Sequence, residues 1–553
     1  SKKLVVTASV LVVSAENQRR AFDCEIAPDV WVDCEERQSR NTTTGRCELL
    51  QVGAMLLTIP RAPLPTALAA ISTIFLLTYL YFHASSSTTP HILSIQSSTQ
   101  TPHPSQCPPS SAISNIVLSI KTGATEAFDK LPTQLLTILQ CADTLLLFSD
   151  LEQDIHSLHI HDVLSRYDPE FLEHHADFEL YRKQKEFQAE GRDIQTLSTM
   201  MDSNSDWRTA GHNAAWALDK YKFLHMIERA WELEPGKEWY VFAETDTYIV
   251  WRNLVQWLQR YDPSEPLYLG RGEPMKKEEG DGFYFAHGGS GFVLSRAAMY
   301  EFCVTQKGLA SRWDARIPDL WFGDYVVAKA LKEELDLNLT SAAPMFSGHK
   351  PMSLPIGTGI WCRPVITQHH LRSEEVQNLW MLEGDFYTHS SSGNTPHLRF
   401  SHLFRDILSG VKFPQLRSEW DNMSQDNIYT IKAPRTKEQA QKKPNERVGE
   451  PIVEKDPNAS PDACNAACEV TETCFQWSHL NFTTIEEEKK KKHNGGVCYM
   501  SSVFRFGNQR AEESWVDKDN ATNTHLWVSG WKTTAIENWI ANAPDSCGEV
   551  DWT

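Results

Sequence analysis

Basic charge is scarce in this chain. Its 553 residues include 53 Lys and Arg against 72 Asp and Glu, for a formal charge of −19. Nonspecific nucleic-acid binding needs a cationic face, so no nucleic-acid partner is expected. A zinc-finger pattern is also missing. Twelve cysteines are present, but no His-x-x-x-His and no paired Cys-x-x-Cys accompanies them. Five fall from residue 464 onward (Cys464, Cys468, Cys474, Cys498 and Cys547). That clustering predicts a disulfide-stapled module in an oxidising compartment, with one thiol of the odd set free or paired elsewhere.

One stretch lacks charge altogether. Residues 64–82, LPTALAAISTIFLLTYLYF, are just long enough to cross a thin bilayer as a helix. Tyr79 and Tyr81 sit near its end as interfacial aromatics do, and Arg61 places the preceding side in the cytoplasm. SSSTTP follows at once, and Ser, Thr, Pro and Gln dominate to about Ser111, as in an extended stem. Residues 1–54 lack clear periodicity and read as a gene-model artefact ahead of Met55. The expected layout is a cytoplasmic tail (55–63), a signal anchor (64–82), a stem (83–112), a catalytic domain (113–432), a linker (433–457) and a tail module (458–553). N-x-S/T acceptors stand at Asn338, Asn422, Asn481 and Asn520, each a glycan site if luminal.

Hydrophobic residues make up 41% of the chain, enough for real cores. The apolar run NIVLSI (115–120) reads as a strand, Lys121-Thr122-Gly123 as a turn, and DTLLLFSD (143–150) as a second strand after a helix. Strand-turn-helix-strand opens a parallel α/β sheet, whose ligands collect at the carboxyl ends of its strands. Residues 214–231 place Trp216, Phe223, Ile227 and Ala230 at helical spacing, as a packing face. WYVFAETD (239–246) then reads as a buried strand ending in two carboxylates, Glu244 and Asp246. Leu254, Trp257, Leu258 and Tyr261 share one face of the helix after it.

Paired carboxylates repel unless a cation or donors compensate. A divalent ion with oxygen ligands does so and can also grip a diphosphate. Downstream, YFAHGGSGFVLS (284–295) supplies glycines for tight turns and close ligand approach. DLWFGDYVVAKAL (319–331) puts Asp324 at a helix start, as a cap or as a base kept ionised there. WCRPVITQHHLRSEEVQNLW (361–380) offers His369 and His370, either an exposed pair or ligands for an ion such as manganese.

In that order and spacing, over about residues 113–405, these stretches resemble glycosyltransferase family 31, the Fringe and core 1 β-1,3-galactosyltransferase group. AETDTY stands where the family has ADDDTY, and the chain looks most like the filamentous-fungal members. The resemblance implies a GT-A fold (Rossmann-like, with a mostly parallel sheet), a UDP-sugar donor and Mn²⁺. It implies Asp246 with His369, or His370 as fallback, on the metal. Lys121, Thr122, Gly123, Glu244 and Thr245 would lie near the nucleotide, and Gly288, Gly289 and Trp321 near substrate. Asp324 would be the general base of a single inverting displacement. Departures from the family pattern are Glu244 and Thr245 in the acidic triplet, Gly323 where core 1 enzymes carry an acid, and Ala328 where they carry Gly. Residues 461–477, 497–507 and 527–531 resemble a PAN/apple-like module, a class that binds proteins or carbohydrates. EEEKKKK (486–492) reads as a solvated loop between them.

The leading expectation is a type II membrane enzyme of the Golgi or ER, moving galactose to a glycoprotein or glycan acceptor such as N-acetylgalactosamine. A Fringe-like N-acetylglucosaminyltransferase is the second reading. A non-catalytic glycan-binding protein with a degenerate domain is the third.

Overall fold

In chain order the first strands are β1 (Ile116–Lys121), β2 (Thr144–Ser149), β3 (Gln153–Ile155), β4 (Leu158–Asp162), β5 (Trp239–Glu244), β6 (Tyr248–Ile249), β7 (Tyr268–Gly270), β8 (Gly272–Pro274), β9 (Tyr284–Ala286), β10 (Phe292–Ser295), β11 (Leu339–Ser341), β12 (Phe346–Ser347) and β13 (Thr367–Gln368). Eight of them form one sheet in the order β11-β7-β10-β5-β1-β2-β4-β3. The β5-β1-β2-β4 centre is parallel, and β10 and β3 pair with their neighbours antiparallel. The architecture is mixed α/β with a mainly parallel sheet, as the sequence pattern predicts. The computed structural model describes residues 106–197, 214–275, 283–389, 396–408, 410–430, 456–486, 491–516, 521–544 and 547–552, all within the unit Gln100–Thr553. The doubtful segment 1–54, the tail 55–63, the anchor 64–82, the stem up to residue 105 and the linker up to residue 455 lie outside them. Among the described residues no helix is long and apolar enough to cross a membrane.

Inner parallel strands are covered on both faces, so they read as unbroken apolar runs. Alternation sends Ile116, Leu118 and Ile120 of β1 with Val241 and Ala243 of β5 into one core. Val117 of β1 with Tyr240 and Phe242 of β5 enters the other. This clamps the carboxyl ends of β1 and β5 side by side, with Lys121 in register with Glu244. The segment 214–231 differs from its expected single packing face. It forms two helices, Ala214–Asp219 and Phe223–Leu233. Phe223, Ile227 and Ala230 pack in the core, while Trp216 is 47% exposed.

Toward the C-terminus come β14 (Arg417–Ser418), β15 (Trp420–Asp421), β16 (Asn427–Thr430), β17 (Gln476–Glu486), β18 (Lys491–Ser501), β19 (Asn508–Gln509), β20 (Glu513–Val516) and β21 (Ala521–Trp531). A second, antiparallel sheet runs β14-β21-β17-β18-β16, with β20 on β21. Two of its strands, β14 and β16, come from residues ahead of the 432 boundary drawn from sequence. The charge run 486–492 is not simply a loop, because Glu486 pairs with Lys491 across β17 and β18. Cys464–Cys498 and Cys468–Cys474 fasten the helix Pro461–Val470 to this sheet. The remaining tail thiol, Cys547, bonds Cys362 of the larger domain, and Cys107 bonds Cys141.

The module is docked as well as tethered. Phe504, Trp531 and Ile536 share one hydrophobic core with Ile356, Trp361 and Phe404. The Trp361 indole donates to the Pro544 carbonyl at 3.1 Å. Cys362–Cys547 closes a span of 185 residues. Replacing both cysteines by serine is expected to cost about 2–5 kcal/mol, read as a lowered melting temperature. An unchanged midpoint would mean that the shared core alone sets the docking.

One expected glycan site is ruled out by burial. Asn422 is fully buried, and its Nδ2 donates to the Trp477 and Gly530 carbonyls at 3.0 and 3.2 Å. A sugar on that nitrogen would have to displace both bonds. Asn338 is exposed and Asn481 half-buried, whereas Asn520 lies outside the described residues.

Candidate active site

At the carboxyl ends of β1, β2 and β5 lies a cleft of about 340 Å³. It is lined by Lys121, Thr122, Gly123, Asp150, Asp219, Lys222, Glu244, Asp246, His369 and His370, with Trp216 and Lys130 at its sides. The structure thus gathers seven residues singled out from sequence around one space. Five others sit differently. Thr245 is buried with its hydroxyl 3.4 Å from that of Thr122, so it supports the cleft floor without facing the cavity. Gly289 lies against the His369 ring and Gly288 against Asp324; none of these three glycine-run and helix-start residues lines the cavity, and Trp321 is 54% exposed.

The acid loop is held by its backbone. The Gln134 amide, from the helix Ala127–Leu135, donates to the Thr245 carbonyl at 2.8 Å. Thr247 donates its hydroxyl to the Gly289 carbonyl at 2.7 Å and accepts from the Glu244 amide. Strand β6 then pairs with β13, which leads directly into His369. The Leu371 amide closes the circuit on the Asp246 carbonyl at 3.1 Å. Behind β6, the Tyr248 hydroxyl donates to Glu383 at 2.5 Å, and burial pushes that carboxyl up to about 8.

Charge in the cleft is tightly balanced. Lys121 lies 3.0 Å from Glu244 and also pairs with Asp219, while Lys222 pairs with Asp219 at 3.1 Å. Burial opposes the Lys121 charge, but these carboxylates outweigh it and hold its pKa above the ordinary value. Burial likewise works against Glu244 and Asp246. Lys121 and His369 beside the first, and His369 and Lys130 beside the second, nevertheless hold both below the usual carboxylate range. His369 Nε2 stands 3.0 Å from Asp246 and 3.6 Å from Glu244. Burial pulls its pKa down, yet the two carboxylates win and raise it to about 9.

These residues fit a divalent ion. One ligand atom from each of Asp246, His369 and His370 lies within 4.8 Å of the others. His369 is 5% exposed, and neither ring nitrogen makes a well-directed hydrogen bond. Raised to about 9, the ring is an imidazolium as it stands, so a divalent ion would take the place of its Nε2 proton between the two carboxylates. His370 adopts a left-handed φ of 64°, uncommon for a residue with a side chain, and this turns its ring to 3.9 Å from that of His369. The residue as a whole is solvent-exposed, but the cleft lining desolvates its ring and the charged His369 beside it adds to that, so the His370 pKa falls to about 4, which leaves it neutral and able to coordinate.

The glycine run has a steric reason. A Cβ on Gly289 would fall 2.0 Å from the His369 ring. Gly289→Ala is therefore expected to push His369 off Asp246 and weaken divalent-ion binding about tenfold or more, as measured by calorimetry with Mn²⁺. Unchanged affinity would show that the ring is not a ligand. Gly288 donates its N–H to Asp324 Oδ2 at 2.8 Å, and Oδ1 accepts from the Tyr325 amide. Asp324 sits in the first turn of the helix Gly323–Leu335, whose N-cap is Phe322. It is not held below its ordinary range there. Burial outweighs the two N–H donors and pushes its carboxyl up to about 6.

Gly323, an apparent departure from the core 1 pattern, is also accounted for. A Cβ there would strike the Phe223 ring at 2.1 Å, and Lys121 stands over the same ring at 4.4 Å. Sequence reading passed over Gln134, Asp150, Asp219 and Lys222, and it placed Trp216 on a packing face where the structure puts it in the cleft lining. Asp150 ends the DTLLLFSD strand and accepts from the Ala124 amide at 2.7 Å, so the rule of strand carboxyl ends could have found it. Trp216 extends outward through Phe322, at 5.2 Å, to Trp321, forming an aromatic ladder beside the cleft.

Comparison with known proteins matches residues 180–390 to the family model "Fringe-like". The chain is 27% identical over 132 residues to a chicken (Gallus gallus) "Beta-1,3-N-acetylglucosaminyltransferase radical fringe", covering 21% of this chain and 34% of that protein. It is 38% identical over 66 residues to a Xenopus laevis "Glycoprotein-N-acetylgalactosamine 3-beta-galactosyltransferase 1", covering 12% and 17%. It is 36% identical over 77 residues to the Drosophila melanogaster "Fringe glycosyltransferase", covering 12% and 19%. The matched part thus spans about a third or less of these relatives. Residues 180–390, which hold the paired acids, the glycine run, Asp324 and both histidines, are a Fringe-like domain of glycosyltransferase family 31.

Proposed function

We propose that this chain is an inverting, metal-dependent β-1,3-glycosyltransferase of GT-A type. In this reading it moves galactose from UDP-galactose to a glycoprotein acceptor sugar such as N-acetylgalactosamine. The observation that carries the reading is the convergence of Asp246, His369 and His370 within 4.8 Å at one end of the Lys121–Glu244 cleft. Those three residues would hold a divalent ion such as manganese. When bound, such an ion supplies Lewis-acid neutralisation of a leaving diphosphate.

The chain's own residues do the rest. Lys121, fixed between Asp219 and Glu244, and Lys222 place positive charge at the strand ends where a nucleotide diphosphate would lie. Asp324, with a carboxyl near 6, is ionised for much of the time at neutral pH and accepts the proton of the acceptor hydroxyl. That oxygen attacks the anomeric carbon opposite the diphosphate, and an α-linked donor gives a β-linked product. Trp321 and Trp216 offer apolar faces on which a sugar ring can rest.

A luminal setting, in the Golgi or ER behind a single membrane anchor at 64–82, is part of the proposal. Four disulfides support it, since such bonds persist in oxidising compartments. The tail module is proposed as a PAN/apple-like glycan or protein reader. A second donor, UDP-N-acetylglucosamine, is favoured by the length of the match to radical fringe.

The experiment is a panel of UDP-sugars assayed for transfer and hydrolysis with Mn²⁺ and with EDTA. UDP-galactose turnover that EDTA abolishes is the expected result. A preference for UDP-N-acetylglucosamine would move the donor to the second reading. No turnover of any UDP-sugar, together with no metal-dependent binding of UDP, would favour a non-catalytic glycan-binding protein.

A further inference from the structure

The central sheet ends in a hairpin, β3 and β4, on the side away from β10. His159 and His161 are two residues apart on β4, so both project from the same face of the strand. Glu152 stands immediately ahead of β3 and reaches back to that face, where its Oε1 meets His159 Nε2. One ligand atom from each of Glu152, His159 and His161 lies within 4.8 Å of the others. None of the three lines the cleft described above.

A random meeting of surface side chains does not orient its members, but these are oriented. The other carboxylate oxygen of Glu152, Oε2, accepts from the Asp162 amide at 2.7 Å. Its backbone carbonyl accepts from the Gln188 amide side chain at 2.7 Å. His159 Nδ1 lies 2.8 Å from Asp154 Oδ1, directly across the hairpin, which turns Nε2 toward Glu152. A carboxylate behind one ring nitrogen, with the other ring nitrogen presented forward, is the usual outer support of a metal-bound histidine. The His161 ring stands edge-on to His159 at 4.6 Å and tilted against Phe148 at 5.8 Å. Glu152 and His159 are 53% and 44% exposed, so an ion has free access.

We propose that Glu152, His159 and His161 form a second metal site, for a zinc-class transition ion. Two imidazoles and one carboxylate match the donor set zinc accepts, and three protein ligands leave a fourth position for water. The site's effect is mechanical. It ties the segment ahead of β3 to β4 and so clips the edge of the sheet, which otherwise relies on short pairings. The competing reading is an ion-pair cluster, with a protonated His159 between Glu152 and Asp154.

The test titrates the full chain with ZnCl₂ by calorimetry in an Asp246→Ala background, which removes the cleft ligand. One zinc equivalent is expected at micromolar concentration. Adding His159→Ala and His161→Ala should abolish it, and Asp154→Asn should weaken it about tenfold. If Asp246→Ala fails to fold, the same comparison is made in the otherwise native chain saturated with Mn²⁺ and UDP. In the same Asp246→Ala background, zinc should also raise the melting temperature of the protein that keeps both histidines but not that of the His159→Ala/His161→Ala variant. No heat at micromolar zinc, or equal binding with and without the two histidines, overturns the proposal in favour of the ion-pair cluster.

Discussion

Asp324→Asn should leave UDP binding intact and cut sugar transfer by about 10²–10⁴-fold, the range a positioned general base commands. Both carboxylate oxygens are occupied by backbone donors, Gly288 N and Tyr325 N. Asparagine has the same outline but only one accepting oxygen, so one N–H loses its partner at a cost of about 1 kcal/mol. The fold survives that loss, and the proton acceptor does not. The native enzyme adds a signature in pH. Burial sets the Asp324 carboxyl to about 6, so transfer should fall as pH drops through 6, where the base becomes protonated, and should level off above it. The acid limb measured in kcat/KM must vanish from the residual activity of the asparagine variant. A flat profile in the native enzyme, or near-native turnover in the variant, would remove Asp324 from the chemistry.

His369→Ala should lower transfer about a hundredfold or more, comparable to deleting one preorganised electrostatic group. His370→Ala should cost less. His369 is buried, touches both Asp246 and Glu244, and has no well-directed hydrogen bond at either ring nitrogen. Removing it also leaves two close carboxylates without their nearest imidazole, so like-charge repulsion loosens the loop. His370 is exposed and held by a left-handed backbone, and another neutral donor, even water, can take its place. Steady-state transfer measured against Mn²⁺ concentration separates the two, because both variants should need more metal and His369→Ala far more. Equal effects would mean the two rings share the ion evenly. A larger effect at His370 would reverse the assignment.

Much of this was legible in the sequence where the signal was local. β1, β2 and β5 announced themselves as apolar runs buried on both faces, and the acids at the end of β5 had to lie at the sheet rim. Partnerships across the chain were not legible. Gln134 holds the acid loop from more than a hundred residues away, and Cys547 finds Cys362 rather than a neighbour in the tail. Trp216 has helical spacing with Phe223, yet a break between their two helices turns it out to the cleft. The direction in which the Asp324 carboxyl shifts was not legible for the same kind of reason. A helix start favours the charged form, but the strength of the opposing burial is a property of the packed site. Asn422 shows the converse, since a correct acceptor motif says nothing about whether its nitrogen is already bonded in the core.

The most direct test is UDP calorimetry on the full chain, with Mn²⁺ and with EDTA, in the native protein and in Asp246→Ala. The account predicts that native affinity drops at least tenfold when the metal is removed, and that Asp246→Ala binds UDP weakly and equally in both conditions. Native affinity that is the same with Mn²⁺ and with EDTA, and unaltered by Asp246→Ala, would contradict it.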